Sequence, residues 1–211
     1  MPRGVYQGGG SLKTGKATMR EWLRARSFAT VVDFGTGLGE LGAIARRVYP
    51  HARILGCDVY APAIQRHAAA PGKPYDEVVV CDAVTFAGDA PSNPRVLWCF
   101  GDMLEHVSPE TARALMLGNP EGYILVALPI GLAPQKGKRD NPAEAHLWTV
   151  YPTDIAAVGR SVVQARVEGF TSRRVDSAGE VYEDTLDRPC YHSPQGYSHY
   201  GMFLLGPSTP F

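Results

Sequence analysis

The sequence feature that most constrains the fold is the stretch VVDFGTGLGE at residues 31–40. An apolar run with one carboxylate inside it, Asp33, predicts a buried strand of a parallel sheet. Three glycines at alternate positions follow, and apolar residues at helical spacing come after them. Glycine lets the backbone approach a ligand closely, and a helix N-terminus presents free N–H groups. A strand, a glycine-rich turn and a helix in this order therefore predict a nucleotide-binding unit.

The glycines admit more than one interpretation. The G-x-G-x-x-G pattern that starts at Gly37 is typical of dinucleotide-binding sites and predicts an NAD-dependent oxidoreductase. That pattern places its first glycine directly at the strand end, whereas Gly35 and Thr36 intervene here and Asp33 precedes the turn. A carboxylate at that point repels a pyrophosphate and suits a ligand that carries an ammonium group. A glycine-rich turn that binds nothing is the remaining alternative.

The pattern Asp33-x-Gly35-x-Gly37-x-Gly resembles motif I of the class I S-adenosylmethionine-dependent methyltransferases. The resemblance covers residues 30–130 well and the rest of the chain only through its order of elements. It implies an α/β, doubly wound, Rossmann-like domain with a seven-stranded, mostly parallel sheet of order 3-2-1-4-5-7-6 and helices on both faces. It also implies that Asp33, Gly35, Thr36 and Gly37 hold the methionine end of S-adenosylmethionine.

Acidic residues end the next two predicted strands. Asp58 ends the second strand. An acid at this position of a βαβ unit reaches the ribose hydroxyls of an adenosine. Val59 follows Asp58 and is expected in the same cofactor site. This acid supports a nucleoside ligand without distinguishing the methyl donor from NAD. Asp82 ends the third strand, and the resemblance implies that it accepts from the adenine amino group, with the adjacent backbone of Ala83 or Val84 in the same site.

The end of the fourth predicted strand carries Phe100, Gly101 and Asp102, and the resemblance implies that these residues border the sulfonium methyl. The segment from Asp102 to His106 and the valine after it resembles the Asp-x-Leu-Glu-His-Val stretch of small-molecule and quinone methyltransferases. The chain lacks the Asn/Asp-Pro-Pro-aromatic motif that amino-methylating DNA enzymes place there. A small-molecule acceptor is therefore favoured over a nucleic acid.

A long polar loop, residues 131–150, follows the fifth predicted strand, and long loops at this edge of such a sheet bind substrate or form lids. His106 and His146 are the candidate catalytic residues, because a histidine base helps when the acceptor is a hydroxyl. His146, in the variable loop, is the better candidate for substrate contact. A structural or capping role stays open for both.

We expect no metal ion. Asp102, Glu105 and His106 could suggest a site, but neighbouring side chains such as the last two point apart on a regular element. The four cysteines form no C-x-x-C pair, and three of them fall in predicted core strands. They are therefore interpreted as free thiols of a reducing cytosol.

Length and charge set the remaining expectations. A chain of 211 residues suits a single domain, residues 1–211, with a flexible glycine-rich N-terminal arm at 1–16. Lys plus Arg equals Asp plus Glu, 21 against 21, so no overall field attracts a nucleic acid. No apolar run reaches the roughly 18 residues of a membrane span, and the N-terminus lacks a secretory signal. These features favour a cytoplasmic protein without a membrane partner.

Hydrophobic periodicity and turn signals give the expected elements. The strands are expected at 31–34, 53–59, 76–82, 95–100, 122–130, 171–175 and 199–205. The helices are expected at 18–26, 39–48, 61–70, 109–117 and 154–168, and the region from 83 to 94 mainly as loop.

The favoured function is transfer of a methyl group from S-adenosylmethionine to an oxygen, nitrogen or carbon of a small molecule, which releases S-adenosylhomocysteine. Three alternatives stay open. They are methylation of RNA or protein, a cofactor-binding protein without turnover, and the NAD-dependent oxidoreductase, which explains neither Asp33 nor Asp82.

Overall fold

A computed structural model describes residues 15–69, 72–137, 141–169, 171–175, 181–185 and 199–208. Most of the expected N-terminal arm lies outside the described residues. Within these ranges the strands are β1 (Thr30–Phe34), β2 (Arg53–Asp58), β3 (Glu77–Val80), β4 (Val96–Gly101), β5 (Tyr123–Ile130), β6 (Arg160–Gly169), β7 (Thr171–Val175), β8 (Val181–Thr185) and β9 (His199–Ser208). The α-helices in the same ranges are α1 (Lys16–Arg24), α2 (Glu40–Val48), α3 (Ala61–Ala69), α4 (Ala83–Asp89), α5 (Pro109–Leu117) and α6 (Pro152–Ala156).

Seven of these strands form one sheet of order β3-β2-β1-β4-β5-β9-β6. The first five run parallel, and β9 pairs antiparallel with both β5 and β6. This confirms the predicted order 3-2-1-4-5-7-6, with β6 and β9 as the sixth and seventh strands. The order reverses between β1 and β4, so the ligand crevice of such a sheet lies at the carboxyl ends of these two strands.

The core lies on both faces of the sheet. On one face, Val32, Phe34 and Trp98 pack with residues of α5 and α6. On the other face, Val31 and Leu97 pack with residues of α1 and α2. All six residues of β4 are buried, as a continuous apolar run in a central parallel strand predicts. The sheet is therefore a rigid base on which the loops at its carboxyl edge are held.

The predicted helix at 154–168 is wrong. Helix α6 ends at Ala156, Gly159 has a φ of 85°, and the chain then enters β6. Val162, Val163 and Val167 of β6 are exposed, because β6 is an edge strand beside β9. Its β-branched residues favour a strand, and the helical spacing of the valines was misleading.

Two further expectations need correction. The strand at 171–175 is β7, but it pairs with β8 in a separate two-stranded sheet and does not join the main one. The region expected mainly as loop contains α4, which begins after Asp82 and packs Phe86 and Ala87 against the core. An N-cap carboxylate and two core contacts stabilise a short helix in spite of the glycine and prolines nearby.

Among the described residues, no helix has the length and apolar character needed to cross a membrane.

Candidate active site

The turn after β1 is built from glycines in left-handed backbone. Gly35, Gly37 and Gly39 have φ of 74°, 48° and 80°, which other residues rarely adopt. The N–H groups of Gly35 and Thr36 both donate to the carbonyl of Cys57, at 2.9 and 3.0 Å, so the turn is fixed to β2. The Thr36 side chain is buried, and its Oγ1 has no hydrogen-bond partner among the described residues.

Asp58 lies at the end of β2, half-buried, and connects that strand to the glycine turn. Its Oδ2 accepts a 2.8 Å hydrogen bond from the N–H of Gly37. Its Oδ1 accepts one of 2.8 Å from the N–H of Tyr60. The carboxylate is therefore held at the carboxyl edge of the sheet, at the position where the sequence predicts a ribose contact.

Asp33 is buried within the sheet, with 1% of its surface exposed. The hydroxyl of Tyr75 donates a 2.6 Å hydrogen bond to its Oδ2, and its Oδ1 has no hydrogen-bond partner in the described part of the chain. Burial raises the pKa of Asp33 to about 7, and the charge of Asp58 adds to the increase, while the hydrogen bond from Tyr75 opposes it. The predicted contact of Asp33 with the methionine end of a cofactor stays a prediction.

Tyr75 is a site residue that the sequence analysis missed. Its ring fills the space beside Gly42 and Gly56, where an added Cβ would come within 2.4 and 3.0 Å of ring atoms. Gly42 is the third glycine of the apparent dinucleotide pattern. Its lack of a side chain therefore leaves room for the Tyr75 ring. The local signal, a single tyrosine after a proline, does not indicate this contact.

Asp82 is exposed and caps α4. Its Oδ1 accepts from the N–H groups of Val84 and Thr85 at 3.0 and 2.9 Å, and its Oδ2 accepts from Thr85 Oγ1 at 2.6 Å. These hydrogen bonds lower the pKa of Asp82, and the one from the Thr85 hydroxyl contributes most. Ala83 is the first residue of the helix. The role of both residues at an adenine stays a prediction.

Three exposed valines lie at the same edge of the sheet. Val59, Val80 and Val84 are 57%, 55% and 57% exposed. The register of β2 and β3 places Val80 beside Asp58, and Val84 follows the capping carboxylate of Asp82. These exposed side chains beside Asp58 and Asp82 offer apolar surface to a ligand at this edge.

The end of β4 has two buried residues and a strained one. Phe100 is fully buried and stacks on Phe34, with ring centroids 4.7 Å apart, so its side chain belongs to the core. Gly101 is buried beside Leu41. Asp102 has a φ of 49°, and its N–H donates to the carbonyl of Ala127 at 2.7 Å. Positive φ in a residue other than glycine marks strain that clusters at functional sites.

The carboxyl of Asp102 lies beside two other buried polar groups. Burial, the charges of Asp102 and Glu105, and a hydrogen bond with Asp102 raise the pKa of Tyr200 well above its usual range. Burial first, and then the charge of Asp102, raises the pKa of Glu105 well above its usual range. The crevice after β4 therefore contains a compact group of buried oxygen atoms.

His106 and His146 meet in this crevice, although 40 positions separate them in the sequence. Their ring centroids are 4.8 Å apart, with the rings nearly perpendicular. Burial, and for His146 the neighbouring His106, lowers both pKa values, that of His146 to about 4. Both imidazoles are therefore neutral near pH 7.

The loop at 131–150 is fixed to the 3₁₀ turn Leu104–His106. The N–H of Leu147 donates to the carbonyl of Glu105 at 2.8 Å, and the indole N–H of Trp148 donates to the carbonyl of Leu104 at 3.1 Å. Gln135 and His146 exchange two backbone hydrogen bonds of 3.0 Å. This part of the loop is thereby held as a wall of the crevice.

The reason given for expecting no metal is wrong. Glu105, His106 and His146 each offer one ligand atom, and these atoms lie within 4.8 Å of one another. Glu105 and His106 are neighbours on a tight 3₁₀ turn and not on a regular helix or strand, and Oε1 of Glu105 lies 3.9 Å from Nε2 of His106.

Several solved structures with a similar fold are methyltransferases. A SAM-dependent methyltransferase from Archaeoglobus fulgidus is 17% identical with a TM-score of 0.57, covering 93% of this chain and 95% of that one. Magnesium protoporphyrin IX methyltransferase from Synechocystis PCC 6803, with bound SAM, is 15% identical with a TM-score of 0.50, covering 94% and 86%. The 1,6-didemethyltoxoflavin-N1-methyltransferase from Burkholderia thailandensis, with bound 1,6-didemethyltoxoflavin and S-adenosylhomocysteine, is 14% identical with a TM-score of 0.50, covering 93% and 80%.

The sequence itself matches no known protein-family profile and no curated protein. The fold is nevertheless that of the class I S-adenosylmethionine-dependent methyltransferases, in agreement with the sheet order and the glycine turn.

Proposed function

We propose that this protein is a methyltransferase that moves a methyl group from S-adenosylmethionine to an oxygen, nitrogen or carbon atom of a small molecule. The observation that carries the proposal is the position of Asp58. Its carboxylate joins the end of β2 to the N–H of Gly37 in the glycine turn, at the carboxyl edge of the sheet. A nucleoside that lies along this edge presents its ribose hydroxyls to that carboxylate.

The neighbouring groups suit the rest of the cofactor. Val59, Val80 and Val84 supply apolar surface for a purine ring, and Asp82 and the backbone of Ala83 supply polar contacts at its edge. Gly35, Thr36 and Gly37 would surround the methionine end, with Asp33 below them as the acidic group. In this arrangement, the backbone of Phe100 and Gly101 and the carboxylate of Asp102 border the methyl group.

The acceptor would bind between the end of β4 and the loop at 131–150. His106 and His146 are neutral there and can accept a hydrogen bond from an acceptor hydroxyl or amine. Methyl transfer from a sulfonium is an in-line displacement, so the main contribution of these residues is to align the nucleophile. Two of the structural neighbours are named for small-molecule substrates, magnesium protoporphyrin IX in one case and 1,6-didemethyltoxoflavin in the other.

The test is release of S-adenosylhomocysteine from S-adenosylmethionine with separate pools of small hydroxyl, amine and carbon acceptors, of RNA, and of protein. We expect release with at least one small-molecule pool, loss of release in Asp58→Ala, and retention in His51→Ala, a surface control. Release with RNA or protein alone would overturn the assigned acceptor class. Binding of the cofactor without release from any pool would overturn the enzymatic activity.

A further inference from the structure

Glu105 is a buried carboxyl group for which the proposed methyl transfer gives no partner. Only 2% of its surface is exposed, and neither Oε1 nor Oε2 accepts a hydrogen bond from any other described residue. Its Oε1 lies 3.9 Å from Nε2 of His106. A carboxyl group taken out of water without a partner costs several kcal/mol, on the order of 2–7 for a neutral polar group. A ligand that bonds to these two oxygen atoms would remove that cost.

The groups around Glu105 have the chemistry of a metal-binding triad. One ligand atom each from Glu105, His106 and His146 lies within 4.8 Å of the other two. Two ligand atoms at about 2.0–2.2 Å from a tetrahedral zinc ion lie about 3.3–3.6 Å apart. Side-chain rotations that shorten the separations by about 1 Å would therefore bring all three atoms onto one ion.

The backbone orients the ring of His106 and holds the main chain of His146. Nδ1 of His106 lies 3.0 Å from the carbonyl oxygen of Ala145, which selects the tautomer that donates from Nδ1 and leaves the Nε2 lone pair free toward Glu105. Metal-binding histidines almost always donate their other ring N–H to such an oxygen atom. His146 is held by its paired backbone hydrogen bonds with Gln135.

We propose that Glu105, His106 and His146 form a site for one divalent transition-metal ion of the zinc type. Two imidazoles and one carboxylate favour zinc, cobalt or iron(II) over magnesium, which prefers oxygen ligands. Three protein ligands leave at least one coordination position open. The open position would bind an oxygen of the methyl acceptor beside Asp102, and the ion would lower the pKa of an acceptor hydroxyl. This role of the ion rests on the proposed function.

The first experiment is calorimetric titration of the chelator-treated, full-length protein with zinc chloride. We expect saturable binding of one ion per chain. His106→Ala, His146→Ala and Glu105→Gln should each weaken binding by at least about 100-fold, because even outer-shell partners of metal ligands contribute 10–100-fold. His51→Ala removes an exposed histidine and should leave the affinity within about twofold. Absence of zinc binding to the wild type, or equal affinity in the triad variants and His51→Ala, would overturn the site.

A second measurement needs no variant and guards against misfolding. Titration of the wild type with cobalt(II) should give the visible absorption of a nitrogen-coordinated ion, and absorption identical to that of hydrated cobalt would overturn the proposal. Titration of the same samples with S-adenosylhomocysteine separates the two proposals. Cofactor binding without metal binding contradicts only the metal site, and metal binding without cofactor binding contradicts only the methyltransferase.

Discussion

The carboxylate of Asp58 accepts a 2.8 Å hydrogen bond from the N–H of Gly37, which joins the end of β2 to the turn after β1. Its other oxygen accepts from the N–H of Tyr60 at 2.8 Å. One side chain therefore orders the turn that would cradle the methionine end of the cofactor and also lies where the ribose is expected. Loss of this carboxylate should affect both parts of the donor site.

We predict that Asp58→Ala weakens binding of S-adenosylmethionine at least about tenfold, because buried ribose hydroxyls lose their acceptor. Calorimetry of the wild type and the variant measures the change. Asp89→Ala, at the exposed end of α4, is the matched control and should bind like the wild type. Equal affinity in Asp58→Ala and the wild type would remove the ribose assignment.

A pH dependence of stability should follow from Asp33. Its pKa is about 7 in the folded protein against 3.8 for an ordinary aspartate, so between these values only the folded chain keeps the proton. The contribution of Asp33 to the free energy of unfolding should therefore fall as the pH rises from about 4 to 7, by up to roughly 4 kcal/mol. In urea denaturation series, the difference between the wild type and Asp33→Asn should show this slope, because the amide never ionises.

Asp76→Asn is the control for this slope. Burial raises the pKa of Asp76, but hydrogen bonds from the N–H of Ile54 and from Arg46 outweigh it, so the net pKa is lowered. The stabilisation from Asp76 is present above the ordinary aspartate pKa and is lost only at more acidic pH. This variant should keep the slope between pH 4 and 7, and an unchanged slope in Asp33→Asn would contradict the buried, protonated state of Asp33.

His146→Ala should lower turnover at least about tenfold while the affinity for S-adenosylmethionine changes by less than about threefold, because a positioned histidine contributes to catalysis and not to donor binding. Turnover is measured as release of S-adenosylhomocysteine with an acceptor from the screen, and affinity by calorimetry. His51→Ala serves as the control. If His146→Ala abolished cofactor binding, the loop at 131–150 would belong to the donor site.

Arg160→Met should lower the free energy of unfolding by at least about 2 kcal/mol in urea, because several backbone carbonyls would lose a charged donor. The buried Arg160 guanidinium donates to the carbonyls of Asn119 at 2.9 Å and Gly122 at 2.5 Å. Arg166→Met removes an ion pair between an exposed arginine and the half-buried Glu168 and should change stability by less than about 1 kcal/mol. Equal stability of the two variants would show that Arg160 is not a structural anchor.

The central strands could be predicted from the sequence because their apolar runs are continuous and end at glycines or acids. Edge strand β6 could not be predicted in the same way. Val162, Val163 and Val167 are all exposed, so no alternation between an inner and an outer face marked it as a strand. Pairing with β9, a contact distant in sequence, decides its structure.

The candidate site was predictable where it depends on strand ends and not where it depends on distant contacts. Asp58 and Asp82 lie at the carboxyl edge of the sheet as expected. The hydrogen bond from Tyr75 to Asp33 joins two parts of the chain that are distant in sequence, so no local sequence pattern predicts it. The meeting of Glu105 and His146 likewise depends on a loop that folds back onto a 3₁₀ turn.

Calorimetric titration of the purified protein with S-adenosylmethionine, S-adenosylhomocysteine and NAD tests the assigned donor most directly. We expect micromolar binding of the first two compounds and none of NAD, since Asp33 and the glycine turn suit a ligand with an ammonium group and not a pyrophosphate. Binding of NAD alone, or of none of the three, would contradict the assignment of this protein as an S-adenosylmethionine-dependent methyltransferase.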